Sequence, residues 1–294
     1  MTHRFYLVDV FAERPYAGNQ LAVFVGDEPL DAGTMQSLAA ETNFSETTFL
    51  RARADGDGGY PVRIFTPARE IAFTGHPILG TAWVLRNHLI PTSVTQVNLN
   101  LAVGQVPVFF ETDDEGNERV WFRAPPMTLG KIADRQAVAR ALGLSPEDIA
   151  GDAPVQVVAA GTSAMIVPLT SLDALRRGRL NLEAFADLAA DGFPPLAYLF
   201  CQQTHDDRND LCARFFFEAH GVREDPATGN GAAFLGAYLL EHRMLPGDAV
   251  SIRIEQGYEV RRPSLVLLRA QMRAGTAEVF VGGGVIPTMQ GTLL

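Results

Sequence analysis

The chain has 294 residues, 47% hydrophobic and 20% charged, the balance of a folded soluble protein long enough for one large domain or two ordinary ones. Its 34 acidic against 24 basic residues give a formal charge of −10, and no basic stripe is present to replace counterions on phosphates, which excludes nucleic acid as a partner. No basic leader followed by an apolar stretch opens the chain, and no apolar run is long enough to span a bilayer, so the expectation is a cytoplasmic protein without membrane contact.

In chain order, strands are predicted at 5–11 and 21–25, joined by a turn at Pro15 and Gly18. Asp31 caps a helix running to Ala40, with Met35 and Leu38 among its apolar positions. Strands at 47–52 and 61–65 follow, then a helix from Gly75 to His88, stopped before Pro91. Further strands are predicted at 94–101, 105–111 and 120–122, and Pro125-Pro126 is the best candidate linker. Beyond it the pattern predicts a helix at 136–142, strands at 155–158 and 165–167, and a helix at 182–190. Strands at 196–201 and 211–217 hold the two cysteines, Cys201 and Cys212. A disulfide between neighbouring strands is open there, although two small apolar residues in a reduced core fit better. A second long helix runs from Gly229 to His242, stopped before Pro246, and strands at 251–254, 265–271 and 277–281 close the chain. Strands outnumber helices and hairpin spacing dominates over βαβ alternation, which predicts an α+β fold.

The chain repeats itself. Thr74-Gly75-His76 opens one long helix and Thr228-Gly229-Asn230 the other, an offset of 154; Pro91 and Pro246 follow them at an offset of 155. Each helix is preceded by a strand opening alike, Arg63-Ile64-Phe65 and Arg214-Phe215-Phe216, and followed by a strand broken at Gly104 or Gly257. A strand–loop–helix–strand unit at a steady offset predicts a duplicated domain. It would bring two helix N-termini, with their unpaired N–H groups and positive dipole ends, towards one cleft able to hold a carboxylate and stabilise an adjacent enolate. Taken singly, each start is an ordinary cap; the pairing is what points to function.

Five segments make a more specific case: GNQLAV at 18–23, NFSETTFL at 43–50, FTPAREIAFTGHPILGTA at 65–82, EDPATGNGAA at 224–233, and EQG at 255–257 with RPS ending at Ser264. In this order, spread along nearly the whole chain, they resemble the PhzF-like (phenazine biosynthesis-like) family. The resemblance implies two similar domains of the diaminopimelate epimerase-like fold, each a mixed or antiparallel sheet around a long helix. They would be residues 1–122 with 277–294, and 123–276, the strand at 277–281 returning to complete the first sheet. Related epimerases and racemases use one cysteine from each half; the corresponding positions here are Thr74 and Thr228, so a two-thiol mechanism is excluded.

By the same resemblance the catalytic residues are Glu46, His76 and Asp225. Asn19, Ser45, Thr74, Gly75, Thr228, Gly229 and Asn230 are assigned to a small carboxylate-bearing substrate. Glu46 is the single general acid/base; held between Phe44 and Phe49, its pKa would be raised towards neutrality. Counting back along the repeat places Ala197 opposite Glu46 and Phe200 opposite Phe49, so the second half has no equivalent carboxylate. One acid/base group suits a proton shift on one face of a substrate better than stereoinversion, which asks for groups on two faces. Without the resemblance, Glu46 reads as an exposed strand carboxylate, His76 as a neutral hydrogen-bonding residue and Asp225 as a turn former before Pro226. Asn230 stands where many family members carry Ser, which puts substrate identity in question. The rival reading is a catalytically lapsed member serving as a small-anion or protein-binding module.

No cofactor is called for: Gly229-Asn230-Gly231 lacks the dinucleotide fingerprint, Gly282–Gly284 lacks a P-loop Lys-Ser/Thr, and no G-x-S-x-G is present. No metal is expected, since no histidines have zinc-ligand spacing and His205 with Asp206 and Asp207 reads as a solvated loop. A homodimer is implied by the resemblance alone.

Overall fold

The computed structural model describes residues 3–217 and 222–294. It divides into two compact units, Met1–Arg123 with Gly282–Leu294, and Ala124–Val281. The first unit begins with β1 (Arg4–Val10) and β2 (Asn19–Gly26), followed by α1 (Ala32–Thr42), β3 (Glu46–Arg51), β4 (Tyr60–Phe65) and the short β5 (Glu70–Ile71). Then come α2 (Gly75–His88), β6 (Gln96–Leu101), β7 (Gly104–Thr112) and β8 (Glu118–Arg123). The second unit carries β9 (Thr128–Ile132), α3 (Arg135–Ala141), β10 (Gln156–Ala160), β11 (Thr162–Pro168), α4 (Leu172–Arg177) and α5 (Leu182–Ala190). It continues with β12 (Ala197–Cys201), β13 (Leu211–Phe217), β14 (Val222–Asp225), α6 (Gly229–Glu241), β15 (Ala249–Gln256), β16 (Ser264–Arg273) and β17 (Thr276–Gly283); β18 (Val285–Thr292) ends the chain.

The pairing pattern repeats in full. β1–β2 is antiparallel, β2–β3 parallel, β3–β4 and β4–β5 antiparallel, β4–β6 parallel and β6–β7 antiparallel. In the second unit β10–β11, β11–β12, β12–β13, β13–β14, β13–β15 and β15–β16 follow in the same order and the same senses. The outermost strands are exchanged: β9, from the end of the first repeat, pairs with β10, whereas β18, from the end of the second, pairs with β1. The strand that pairs with β1 is Val285–Thr292.

Each unit wraps its strands around one long helix. α2 packs against β1, β2, β3, β6, β7, β8 and β18, and α6 against β10, β11, β15 and β16. Both are buried on nearly every side, from Gly75 to Ala82 and from Gly231 to Leu239. A helix without a polar face is one enclosed by its neighbours. Gly80 makes α2's approach possible, since a Cβ there would lie 2.6 Å from Leu21 Cδ2 and 2.9 Å from Val10 Cγ2. On the other face of each sheet lies a second core. In the first unit it is built by Phe24, Met35, Ala39, Phe49 and Phe65 under α1. In the second, residues of α3, α4 and α5 pack on Leu199, Cys201, Cys212 and Phe216. Both cysteines are free thiols within that core.

The duplication extends to side chains. Arg63 pairs with Glu70 and lies 5.1 Å from the centre of the Phe65 ring; Arg214 pairs with Glu224 and lies 4.8 Å from that of Phe216. Strand register corrects the sequence alignment by one residue. Thr47 opposes Phe65 and Ala197 opposes Phe216, so Ala197 corresponds to Thr47 and Leu196 to Glu46. A slip of one exchanges the faces of a strand. Phe49 belongs to the α1 face, whereas Phe200 meets Tyr238 of α6 on the opposite one. The second unit still has no carboxylate at this point.

Candidate active site

Glu46 is the first residue of β3, where the parallel pairing sets it beside Leu21 of β2. Two hydroxyl pairs fix the strand on either face. Thr47 Oγ1 and Thr42 Oγ1 are 2.8 Å apart at the end of α1, and Thr48 Oγ1 is 2.8 Å from Thr81 Oγ1 of α2. Asn43, in the left-handed region at φ 53°, ends α1 and turns the chain into the strand. Alternation along β3 then directs Glu46, like Thr48, to the α2 face. Phe44 and Phe49 pack in the α1 core, so they do not enclose the carboxylate as expected. Burial does reach it: Glu46 is only 2% exposed.

The α2 face supplies its neighbour. His76, second residue of α2 and also 2% exposed, presents Nε2 at 3.5 Å from Glu46 Oε2. Asn19, at the start of β2, places its amide nitrogen 3.2 Å from His76 Nδ1. Burial pushes the His76 pKa from 6.5 down to about 3, against a hydrogen bond with the Gln20 backbone that acts the other way. The imidazole is therefore uncharged at neutral pH. With Nδ1 accepting from Asn19, the ring hydrogen sits on Nε2 and faces the carboxylate; with the hydrogen on Nδ1, Nε2 is a bare acceptor for a protonated Glu46. The carboxyl group and the neutral imidazole face each other at 3.5 Å in this corner, out of contact with bulk water. Asn19, Glu46 and His76 are thus brought together from three elements. Ser45 precedes Glu46 at the mouth of β3, and Thr74 caps α2 without a side-chain hydrogen bond. Pro77 has no N–H, so the free amides at the start of α2 are those of Gly75 and His76.

In the second unit Asp225 ends β14 and opposes Phe215; the matching residue in the first unit, opposite Ile64, is Ile71. Thr228 Oγ1 donates to Asp225 Oδ2 at 2.6 Å, which leaves α6 without a side-chain cap and its Gly229, Asn230 and Gly231 amides free of one. Asn230 Oδ1 is buried without a hydrogen bond. Two residues that the sequence reading left without a role complete this group. Gln256 bonds Thr228 and the Asp225 backbone, and Tyr198 OH donates to Gln256 Oε1 at 3.4 Å. Gln256 stood inside the EQG segment; nothing in sequence marks Tyr198.

The His205 segment is a loop with Asp207 exposed, as expected, but the His205 side chain itself is largely covered. His205 Nδ1 lies 2.9 Å from Glu255 Oε2, and its ring stacks on Tyr258 at 3.8 Å. Donor atoms of His205, Cys212 and Glu255 lie within 4.8 Å of one another. The Glu255 carboxylate already accepts from the His205 and Asp206 amides at 2.7 and 2.9 Å and from Asn209 Nδ2 at 2.8 Å. Burial raises the Cys212 thiol far above its ordinary pKa, away from the thiolate a metal would need. The set serves to fasten a loop.

The family model for phenazine biosynthesis-like proteins matches residues 8–291. A trans-2,3-dihydro-3-hydroxyanthranilate isomerase of Pseudomonas aeruginosa is 35% identical over 271 residues, 92% of this chain and 91% of that protein. A PhzF-family protein of Bacillus anthracis superposes with a TM-score of 0.91 at 22% identity, over 100% of this chain and 99% of the other. A hydroxyproline epimerase of Agrobacterium vitis shares the fold at TM-score 0.65 and 14% identity, covering 99% and 92%. Among the described residues no helix is long and apolar enough to cross a membrane. With its duplicated α+β units, the chain belongs to the phenazine biosynthesis-like family and is an isomerase.

Proposed function

We propose that this isomerase moves a proton between two carbons beside a carboxylate in a small acid, with Glu46 as its general acid and base and no cofactor. The observation that carries the reading is the contact between a 2% exposed carboxylate and an uncharged imidazole, Glu46 Oε2 to His76 Nε2 at 3.5 Å. Removal from water disfavours the carboxylate anion, which brings its protonation equilibrium nearer to working pH. A group poised in this way takes a proton from one carbon and returns it to the next. A neutral His76 gives or accepts one hydrogen bond as Glu46 changes charge, so the proton stays where it was lifted. Asp225, tied to Thr228, is assigned to the same reaction as its second ionisable group. Asn19, Ser45, Thr74, Gly75, Thr228, Gly229 and Asn230 are assigned to substrate, the amides of the two helix starts to its carboxylate.

The named substrate of the Pseudomonas aeruginosa relative, trans-2,3-dihydro-3-hydroxyanthranilate, is the first compound to try. Consumption of it by the wild type in metal-free buffer with chelator, and its loss in Glu46→Gln, supports the reading. Turnover that survives Glu46→Gln removes Glu46 as the base. A protein that binds the compound without exchanging any proton favours the small-anion-binding alternative. The homodimer implied by the family belongs to the same proposal, and light scattering on the purified chain reads it. Cytoplasmic location is likewise proposed, and fractionation of expressing cells tests it.

A further inference from the structure

We propose that Gln256 is a positioning residue for Asp225, acting by aiming the Thr228 hydroxyl at its carboxylate. The inference rests on the assignment of Asp225 to the reaction and adds the device that holds it.

Gln256 closes β15 and is 0% exposed. Its amide is fully used, three of its four bonds going to one short stretch of chain. Nε2 donates to the Asp225 backbone oxygen at 2.9 Å and to Thr228 Oγ1 at 3.0 Å; Oε1 accepts from the Thr228 amide at 3.2 Å and from Tyr198 OH at 3.4 Å. The consequence for Thr228 follows from counting hydrogens. A hydroxyl has one hydrogen and two lone pairs. With a Gln256 N–H on one lone pair, the hydroxyl hydrogen is left for Asp225 Oδ2, which it meets at 2.6 Å. Two partners of fixed role keep the glutamine amide the right way round: the Asp225 carbonyl can only accept, from Nε2, and the Thr228 N–H can only donate, to Oε1, with Tyr198 OH beside it at 3.4 Å. Next along the chain, Gly257 at φ 82° lets the strand end lie against the loop, where a Cβ would stand 2.4 Å from the Pro226 oxygen.

The other half of the molecule separates this role from a merely structural one. Tyr60 pairs with Leu99 in the first unit as Leu211 pairs with Ile254 in the second, so the counterpart of Gln256 is Leu101 and that of Asp225 is Ile71. The same strands and the same helix start are built there without an amide or a carboxylate. The glutamine accompanies the carboxylate, and the backbone does not require it.

The test is a ¹³C carboxyl NMR titration of Asp225 in the free protein, wild type against Gln256→Leu and Thr228→Val, with turnover of trans-2,3-dihydro-3-hydroxyanthranilate measured alongside. Loss of the charge-assisted bond from Thr228 should raise the Asp225 midpoint by about 1 pH unit in both variants. The double variant should move it no further than Thr228→Val alone. A Gln256→Leu midpoint equal to wild type, or a double variant in which the two shifts add, overturns the inference. If Gln256→Leu does not fold, Gln256→Glu takes its place: two carboxylates then compete for one hydroxyl hydrogen, and an unmoved Asp225 midpoint is again the overturning result. Asp225→Asn separates this inference from the reading beneath it. Full turnover in Asp225→Asn removes Asp225 from the reaction, while the titration still decides whether Gln256 positions it.

Discussion

Replacing His76 with glutamine should flatten the acid side of the stability profile. In the unfolded chain this imidazole binds a proton near pH 6.5, whereas burial holds it neutral in the fold down to about pH 3. Below pH 6.5 the unfolded state therefore carries the extra proton, and stability falls as pH drops until the folded ring also titrates. At about 1.36 kcal/mol per pH unit, this one group removes about 2.5 kcal/mol between pH 7 and pH 4.5, and about 4 kcal/mol by pH 3, where the folded ring is itself half protonated. Glutamine keeps a hydrogen-bonding amide beside Asn19 and Glu46 but does not titrate. Urea unfolding of wild type and His76→Gln at pH 7 and 4.5 gives four free energies, and the difference of differences cancels any constant cost of the substitution. The variant should lose about 2.5 kcal/mol less than the wild type over that interval. Equal losses in the two proteins, or titration near pH 6.5 of the one imidazole signal that His76→Gln removes, would refute a buried neutral His76.

The repeated ion pair offers a comparison within one molecule. Arg214 and Glu224 are 4% and 9% exposed, Arg63 and Glu70 are 38% and 43%, so Arg214→Met should cost about 3–5 kcal/mol and Arg63→Met about 0–1 kcal/mol by urea unfolding. Arg214 also donates to the Leu175 and Gly178 carbonyls at the end of α4, which adds to the contrast. Gly80→Ala should destabilise by about 1–3 kcal/mol and lower turnover with it, because α2 can accept a Cβ only by lifting off Leu21 and Val10 and carrying His76 along. Gly257→Ala places a Cβ 2.3 Å from the Arg262 oxygen at φ 82°, and a fall of several degrees in melting temperature should follow.

Much of this was legible in the residues because the strongest signals were punctuated ones. Asp31 caps α1, and Pro91 and Pro246 bound the segments that follow α2 and α6, so those helices stand almost where capping and proline rules put them. The strands that escaped are the ones that break such rules. β18 contains Pro287 and Gly291, which demote a strand; it is tolerated because its pairing with β1 bulges at Leu7/Val8, beside the proline. β14 has four residues next to a proline, and β9 is mostly exposed, so neither shows an apolar period. α4, at six residues, is too short to declare itself. The one-residue slip between β3 and β12 has the same root: an offset taken from Arg63 and Arg214 holds along β4 and β13, but the loop before them differs in length by one. At the candidate site, Glu46, His76 and Asp225 were assigned from motif position. The Thr48–Thr81 pair, Tyr198 and Gln256 were hidden because each acts through a contact distant in sequence.

The central claim is that Glu46 alone lifts and returns the proton. Wild type and Glu46→Gln would be incubated in D₂O with trans-2,3-dihydro-3-hydroxyanthranilate and related small carboxylates, and deuterium entering carbon positions followed by NMR. The account predicts incorporation by the wild type at the carbon that receives the proton and none above background in Glu46→Gln. Deuterium entering at the wild-type rate in Glu46→Gln would contradict it.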